Sequence, residues 1–214
     1  MRFLDERLGH APVRAALTEF ASVIGLLKTI VAGLIGVALG LAATWYAVGG
    51  SVTFGDAALG AWSGSPRAAY ADADPYTRAI RARSGASPLS QAEGLTFFAA
   101  RDDAGAQLDP RCDYVIGGAM PAARLWTLSS IDQDGKPVAN EFDRNAISSV
   151  EVVRDQNGAF AVIAAANARA GNWLPIARST PFILMLRLYD TTGSAAAGVM
   201  AREQMPSVRK GTCS

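Results

Sequence analysis

The sequence predicts a mainly β protein, an antiparallel, jelly-roll-like β-sandwich with one or two short helices, preceded by one transmembrane helix. Three observations carry this reading. Twenty residues from Thr29 to Val48 contain no charge. Beyond Glu93 the chain breaks into short runs rich in aromatic and β-branched residues. Asp-x-x-Gly segments at Asp102–Gly105, Asp132–Gly135, Asp155–Gly158 and Asp190–Gly193 punctuate those runs.

The apolar run comes first. At the rise of an α-helix it reaches about 30 Å, the thickness of the hydrocarbon layer. Trp45 and Tyr46 sit near its C-terminal end, where aromatic rings favour the interface. Lys28 precedes it and can snorkel to headgroups. Arg2, Arg7, Arg14 and Lys28 lie before the span, and residues 49–64 contain no Lys or Arg. The positive-inside rule therefore expects a cytoplasmic N-terminus and a periplasmic C-terminal domain, anchored in a bacterial inner membrane. A cleaved signal peptide is the rival, since Ala47 and Gly49 resemble a small-residue cleavage site. Against it, the apolar run is longer than a signal core of about 7–15 residues, and a long leader precedes it.

Small residues mark one face of the span. Gly36 and Gly40 form a GxxxG spacing, which Ala32 extends by one turn. Such a face lets a second helix approach, so a membrane-protein partner or a second copy is expected there, beside the lipid bilayer itself. Ordinary glycine content of a membrane helix is the plainer account. Before the span, Pro12 can open a helix, and Val13, Leu17, Phe20, Ile24 and Leu27 form one apolar stripe. The helix can run unbroken from Pro12 into the membrane.

The expected organisation is a partly helical cytoplasmic segment (1–28), the transmembrane helix (29–48), a linker (49–73) and a periplasmic sandwich (74–214). Asp74 and Pro75 form a helix start, with the helix running to about Arg83. Ser90 to Glu93 fits a short capping box. Strands are expected at Leu95–Arg101, Tyr114–Ile116, Ala123–Ile131, Ser149–Arg154, Ala159–Ala165 and Pro181–Asp190. In the last of these, Phe182, Leu184, Leu186 and Leu188 share one face and Ile183, Met185, Arg187 and Tyr189 the other.

Composition excludes several functions. From Ser51 onward the chain has 16 basic and 16 acidic residues, which leaves no electrostatic footprint for nucleic acid. The single histidine is His10. The expected ectodomain thus has no Ser-His-Asp triad, no Cys-His pair and no His-ligated zinc. No cofactor and no metal are expected. Asp132, Asp134 and Gly135 resemble the start of a calcium loop, but the remaining ligands are missing and a plain turn suffices.

Cys112 and Cys213 are the only cysteines, and an oxidising compartment favours a structural bridge between them. The densest group of unusual side chains is Arg124, Trp126, Asn172, Trp173, Arg187 and Tyr189. Guanidinium and aromatic planes together can bind sugars, carboxylates or a peptide. The alternative is a packing cluster that closes one end of the sandwich.

Five segments together resemble a family of proteobacterial envelope proteins that carry domain of unknown function 1214, in its short, membrane-anchored form. They are Asp74–Ala79, Cys112–Tyr114, Ala123–Leu128, Gly171–Pro175 and Leu186–Asp190. The resemblance implies a sandwich of jelly-roll type and supplies no catalytic residues. A non-catalytic accessory or binding subunit of an envelope or membrane complex is therefore expected. The alternative is a carboxylate-dependent hydrolase acting on envelope glycans, for which the acidic residues supply the chemistry but no selected pair.

Overall fold

The computed structural model describes residues 11–49, 57–64, 93–191 and 204–213, with positions 75, 78, 79, 82 and 89; helix side chains are described from 23 to 47. Two units separate at Val52 and Thr53. The first contains one helix, α1, Ala11–Gly49. It begins one residue before Pro12 and runs without a break, and its Val23–Ala47 stretch is long and apolar enough to cross a membrane. Leu34 and Leu41 are 65% and 68% exposed. The hydroxyls of Thr29 and Thr44 donate to the carbonyls of Gly25 and Gly40, so neither needs water. The Val13, Leu17 and Phe20 side chains of the apolar stripe lie outside the described residues.

The second unit is a two-sheet β-sandwich. Its strands are β1 (Ala57–Leu59), β2 (Trp62–Gly64), β3 (Gly94–Ala99), β4 (Cys112–Gly117), β5 (Ala123–Ile131), β6 (Ala146–Ser148), β7 (Ala161–Ala165), β8 (Asn172–Pro175), β9 (Ile183–Thr191) and β10 (Ser207–Cys213). The larger sheet has the order β1-β2-β3-β9-β5-β6, with every neighbour antiparallel. The smaller has the order β10-β4-β7-β8. In it the β7–β8 pair is parallel, so the sandwich is mixed rather than purely antiparallel.

Alternation along β9 builds the core. Leu184, Leu186 and Leu188 are fully buried, while the residues between them are half-buried. They meet Tyr114, Val162, Leu174 and Val208 of the smaller sheet in one apolar cluster. Trp126 stacks on Phe160 with centroids 5.1 Å apart, and Tyr114 meets Phe182 edge-on at 6.0 Å. The Tyr114 hydroxyl accepts the Asp109 N–H at 2.7 Å, which satisfies the one polar atom it brings inside.

Three expectations change. Residues 57–64, read as linker, form the β1–β2 hairpin, and Trp62 is only 1% exposed. Its indole N–H donates to the Pro206 carbonyl at 2.7 Å, which ties the hairpin to the segment entering β10. Ser149–Arg154, read as a strand, is a turn followed by irregular chain; the strand is its neighbour β6. Asn172–Pro175, where no strand is expected, forms β8. The predicted helix at 75–83 lies mostly outside the described residues, with positions 75, 78, 79 and 82 helical; the Ser90 end of the capping box lies outside them as well.

The Asp-x-x-Gly loops share one construction. Oδ1 of Asp102 accepts the N–H groups of Ala104 and Ala106, Oδ1 of Asp132 those of Asp134 and Lys136, and Oδ1 of Asp155 those of Asn157 and Ala159. Each glycine N–H donates back to the aspartate carbonyl, with glycine φ at 85°, 80° and 79°. The aspartate side chain thus takes two backbone donors that the sheet cannot pair. Asn140 repeats the pattern with the Phe142 and Arg144 N–H groups. There the glycine position is Asp143, at φ 49°. At Asp190 the φ is 53°, and the last two residues of its segment, 192 and 193, lie outside the described residues.

Cys112 and Cys213 are bridged, as expected, with a sequence separation of 101. They are also register partners at the end of the β4–β10 pair.

Two outcomes follow from this framework. Asp143→Gly relieves a left-handed conformation that glycine adopts freely, and should raise stability by about 0.5–1 kcal/mol. A shift of the urea midpoint upward, at unchanged slope, is the measurement. Replacing both Cys112 and Cys213 with Ser should lower stability by about 2–4 kcal/mol, and speed amide exchange in β10 first.

Candidate functional site

Register decides where the predicted site residues point. Trp126 of β5 lies opposite Leu188 of β9, Leu125 opposite Tyr189, and Thr127 opposite Arg187. Partners across a ladder share a face. Arg124 and Trp126 therefore belong to the inner face of the larger sheet, and Arg187 and Tyr189 to its outer face. The sheet itself separates the two pairs.

Each of the other four has a structural occupation. Trp126 is part of the core stack on Phe160. Arg124 extends past the core into solvent, where its Nε donates to Asp190 Oδ2 at 3.0 Å. Asn172 is buried on β8, and its amide acts as a short strand edge. Its Oδ1 accepts the Val153 N–H at 2.7 Å, and its Nδ2 donates to the carbonyls of Val153 and Ala161. Trp173 donates its indole N–H to the Ala165 carbonyl and meets Phe142 edge-on at 4.7 Å. These contacts hold β8 parallel to β7 across a short connection.

The outer face of the larger sheet is different. Thr96 of β3, Arg187 of β9, Thr127 of β5 and Ser148 of β6 are successive register partners. They form one polar row across four strands. Ser63, Phe98, Met185, Ser129 and Ala146 form the row on one side of it, and Tyr189 and Leu125 pair on the other. At the far end, Glu151 Oε2 accepts both the backbone N–H and the hydroxyl of Ser148, at 2.8 and 2.7 Å. These hydrogen bonds from Ser148 lower the Glu151 pKa.

Arg187 lies in the middle of this row and is half-buried. Among the described residues it has neither an ion-pair partner nor a hydrogen bond, and its Nε is sealed from solvent with no acceptor. The Thr96 hydroxyl beside it is sealed and unpartnered as well. Arg111, Arg124 and Arg169, by contrast, each hold a carboxylate. Sequence patterning placed Arg187 and Tyr189 on one face. It missed Thr96, Thr127 and Ser148, because the hydroxyl row appears only when four strands are set in register.

Two carboxyls among the described residues are held in their charged form. The Asp109 carboxyl is pulled down to about 2, chiefly by hydrogen bonds from the Arg111 side chain and backbone. With Glu151, that makes two carboxyls moved in the direction opposite to a general acid. Burial pushes the Tyr114 hydroxyl up, away from easy ionisation. Among the described residues no three His, Cys, Asp or Glu side chains converge on a point where a metal could sit.

Comparison with known proteins bears on the fold and the family. No curated protein matches the chain. Among solved structures, the VPA0106 protein from Vibrio parahaemolyticus superposes with a TM-score of 0.53 at 22% identity. The match takes in 66% of this chain and 36% of that one, so this chain spans little more than a third of its length. An uncharacterized protein from Burkholderia cenocepacia gives a TM-score of 0.39 at 16% identity, over 56% of this chain and 30% of that one. The first likeness supports the sandwich as a shared fold. Residues 93–193, from the start of β3 to the end of β9, match the family described as "Protein of unknown function (DUF1214)". This stretch of the sandwich is what resembles DUF1214, and an apolar helix long enough to cross a membrane precedes it.

Proposed function

We propose that the protein is a non-catalytic accessory or binding subunit of a membrane complex in the bacterial envelope. In this reading α1 anchors it in the inner membrane, with the N-terminus in the cytoplasm and the sandwich in the periplasm. The observation that carries it is the Val23–Ala47 stretch of α1, which is apolar and not buried against the rest of the protein. Such a surface is stable in lipid and costly in water. The basic residues before the span and their absence from residues 49–64 support the orientation. The Cys112–Cys213 bridge suits an oxidising compartment.

A partner in the membrane fits the small-residue face. Added methyl groups at Gly33, Gly36 and Gly40 would meet nothing within 4 Å, so the face with Ala32 is open to a second helix. Close backbone approach there would let van der Waals packing hold two helices together. A carboxylate hydrolase would need a proton-donating carboxyl with a raised pKa. Asp109 and Glu151, whose carboxyls are lowered, are not such donors.

Two experiments test this. Alkaline phosphatase fused after Ser214 should be active, and a stable but inactive fusion overturns the orientation. Replacing Gly36 and Gly40 with Ile should cut crosslinked adducts in native membranes several-fold while leaving insertion intact. Equal adduct yields from wild type and the double variant would remove the helix from the interface.

A further inference from the structure

We propose that the outer face of the larger sheet binds a small monoanionic carboxylate carried on an apolar, preferably aromatic, body. Arg187 supplies the charge, and the hydroxyls of Thr96 and Thr127 flank it. The proposal stands apart from the anchoring reading, because binding at this face needs no membrane partner.

The argument begins with energy. A buried donor or acceptor without a partner destabilises the fold, and native structures keep few of them. Here two such atoms, Arg187 Nε and Thr96 Oγ1, belong to residues directly opposite each other on neighbouring strands. A hydrophobic residue at either position would suit a half-buried sheet face at no such cost. A local rule broken twice at one place, with no structural return, marks a functional position. The half-buried guanidinium has also lost part of its hydration and gained no counter-ion among the described residues. An anion arriving from outside meets a cation already partly desolvated, where the attraction is stronger than in bulk water.

Chemistry narrows the ligand. The row contains one cation, and its neighbours Thr96, Thr127 and Ser148 are neutral. Glu151 stands at the Ser148 end as a carboxylate and repels surplus negative charge. One guanidinium balances one negative charge, so a carboxylate fits and a phosphate dianion does not. With Nε sealed, the two terminal nitrogens of the planar guanidinium are the atoms that can meet a carboxylate, in two parallel hydrogen bonds. Phe98 and Met185 on one side of the row, with Tyr189 on the other, give the remainder of the ligand an apolar and aromatic floor.

Benzoate is the probe, with inorganic phosphate and benzyl alcohol as controls. The full chain in lipid nanodiscs is titrated calorimetrically, and empty nanodiscs subtract partitioning. Wild type should bind benzoate saturably, and phosphate and benzyl alcohol at least about tenfold more weakly. Arg187→Met should weaken benzoate at least about tenfold, and Thr96→Val should weaken it to a smaller degree. Without ligand, both variants should melt at or above the wild-type temperature, because each removes an unpartnered polar atom. Benzoate should raise the melting temperature of wild type but not of Arg187→Met. Equal benzoate affinity in wild type and Arg187→Met overturns the proposal, as does the absence of saturable benzoate binding. A melting temperature that falls in ligand-free Arg187→Met also overturns it, since Arg187 would then serve the fold. None of these outcomes bears on the orientation or on the helix interface.

Discussion

β9 is the strand from which the rest of the sandwich takes its position. It lies between β3 and β5, pairing with the first from Leu184 to Tyr189 and with the second from Ile183 to Thr191. Its three buried leucines allow one register only. A slip of one residue would carry Arg187 and Tyr189 into the core and Leu186 and Leu188 out of it. The same alternation that fills the core therefore fixes the polar row on the opposite side. Core and candidate site are two faces of one constraint, and neither can be altered by register without losing the other.

The parts of the fold legible in the sequence are those with enough length to show a period. β5 occupies the predicted Ala123–Ile131, and β9 begins and ends within two residues of its predicted bounds. The aspartate–glycine loops were visible because their chemistry is local: a side chain bonds its own backbone, and a glycine takes a positive φ. Three-residue strands carry no such signal, so Trp62 looked like part of a linker although it is sealed in the core. The parallel β7–β8 pair was hidden for another reason. Asn172 replaces a missing strand edge with its own amide, and a lone asparagine beside a tryptophan reads equally well as a ligand contact. The candidate site was half legible. Period two set Arg187 beside Tyr189, but the hydroxyls around them come from three other strands.

The larger sheet thus has two surfaces of opposed character. Inside, aromatic and leucine side chains exclude water and satisfy their few polar atoms within the protein, as Trp62 does through the Pro206 carbonyl. Outside, a guanidinium lies among hydroxyls and apolar side chains without a carboxylate partner of the kind that Arg111, Arg124 and Arg169 hold. Shared topology explains why residues that cluster along the chain, such as Arg124 with Trp126, separate from Arg187 and Tyr189 in space.

The place of β10 has a consequence for how the domain is made. β10 is an edge strand of the smaller sheet, and its Val208 exchanges two hydrogen bonds with Asp103, through the backbone N–H and the side chain. Its partner β4 emerges from the ribosome long before it. The bridged cysteines are 101 residues apart, and the indole of Trp62 waits for a carbonyl 144 residues further on. At ordinary elongation rates of roughly 5–20 residues per second, that gap leaves the β4 edge bare for about 5–20 s. During this interval the nascent chain presents an open ladder of N–H and C=O groups beside an unfinished core, the condition under which strands pair with the wrong neighbour. The β4 edge can be paired, and this side of the sandwich closed, only once translation has passed β10.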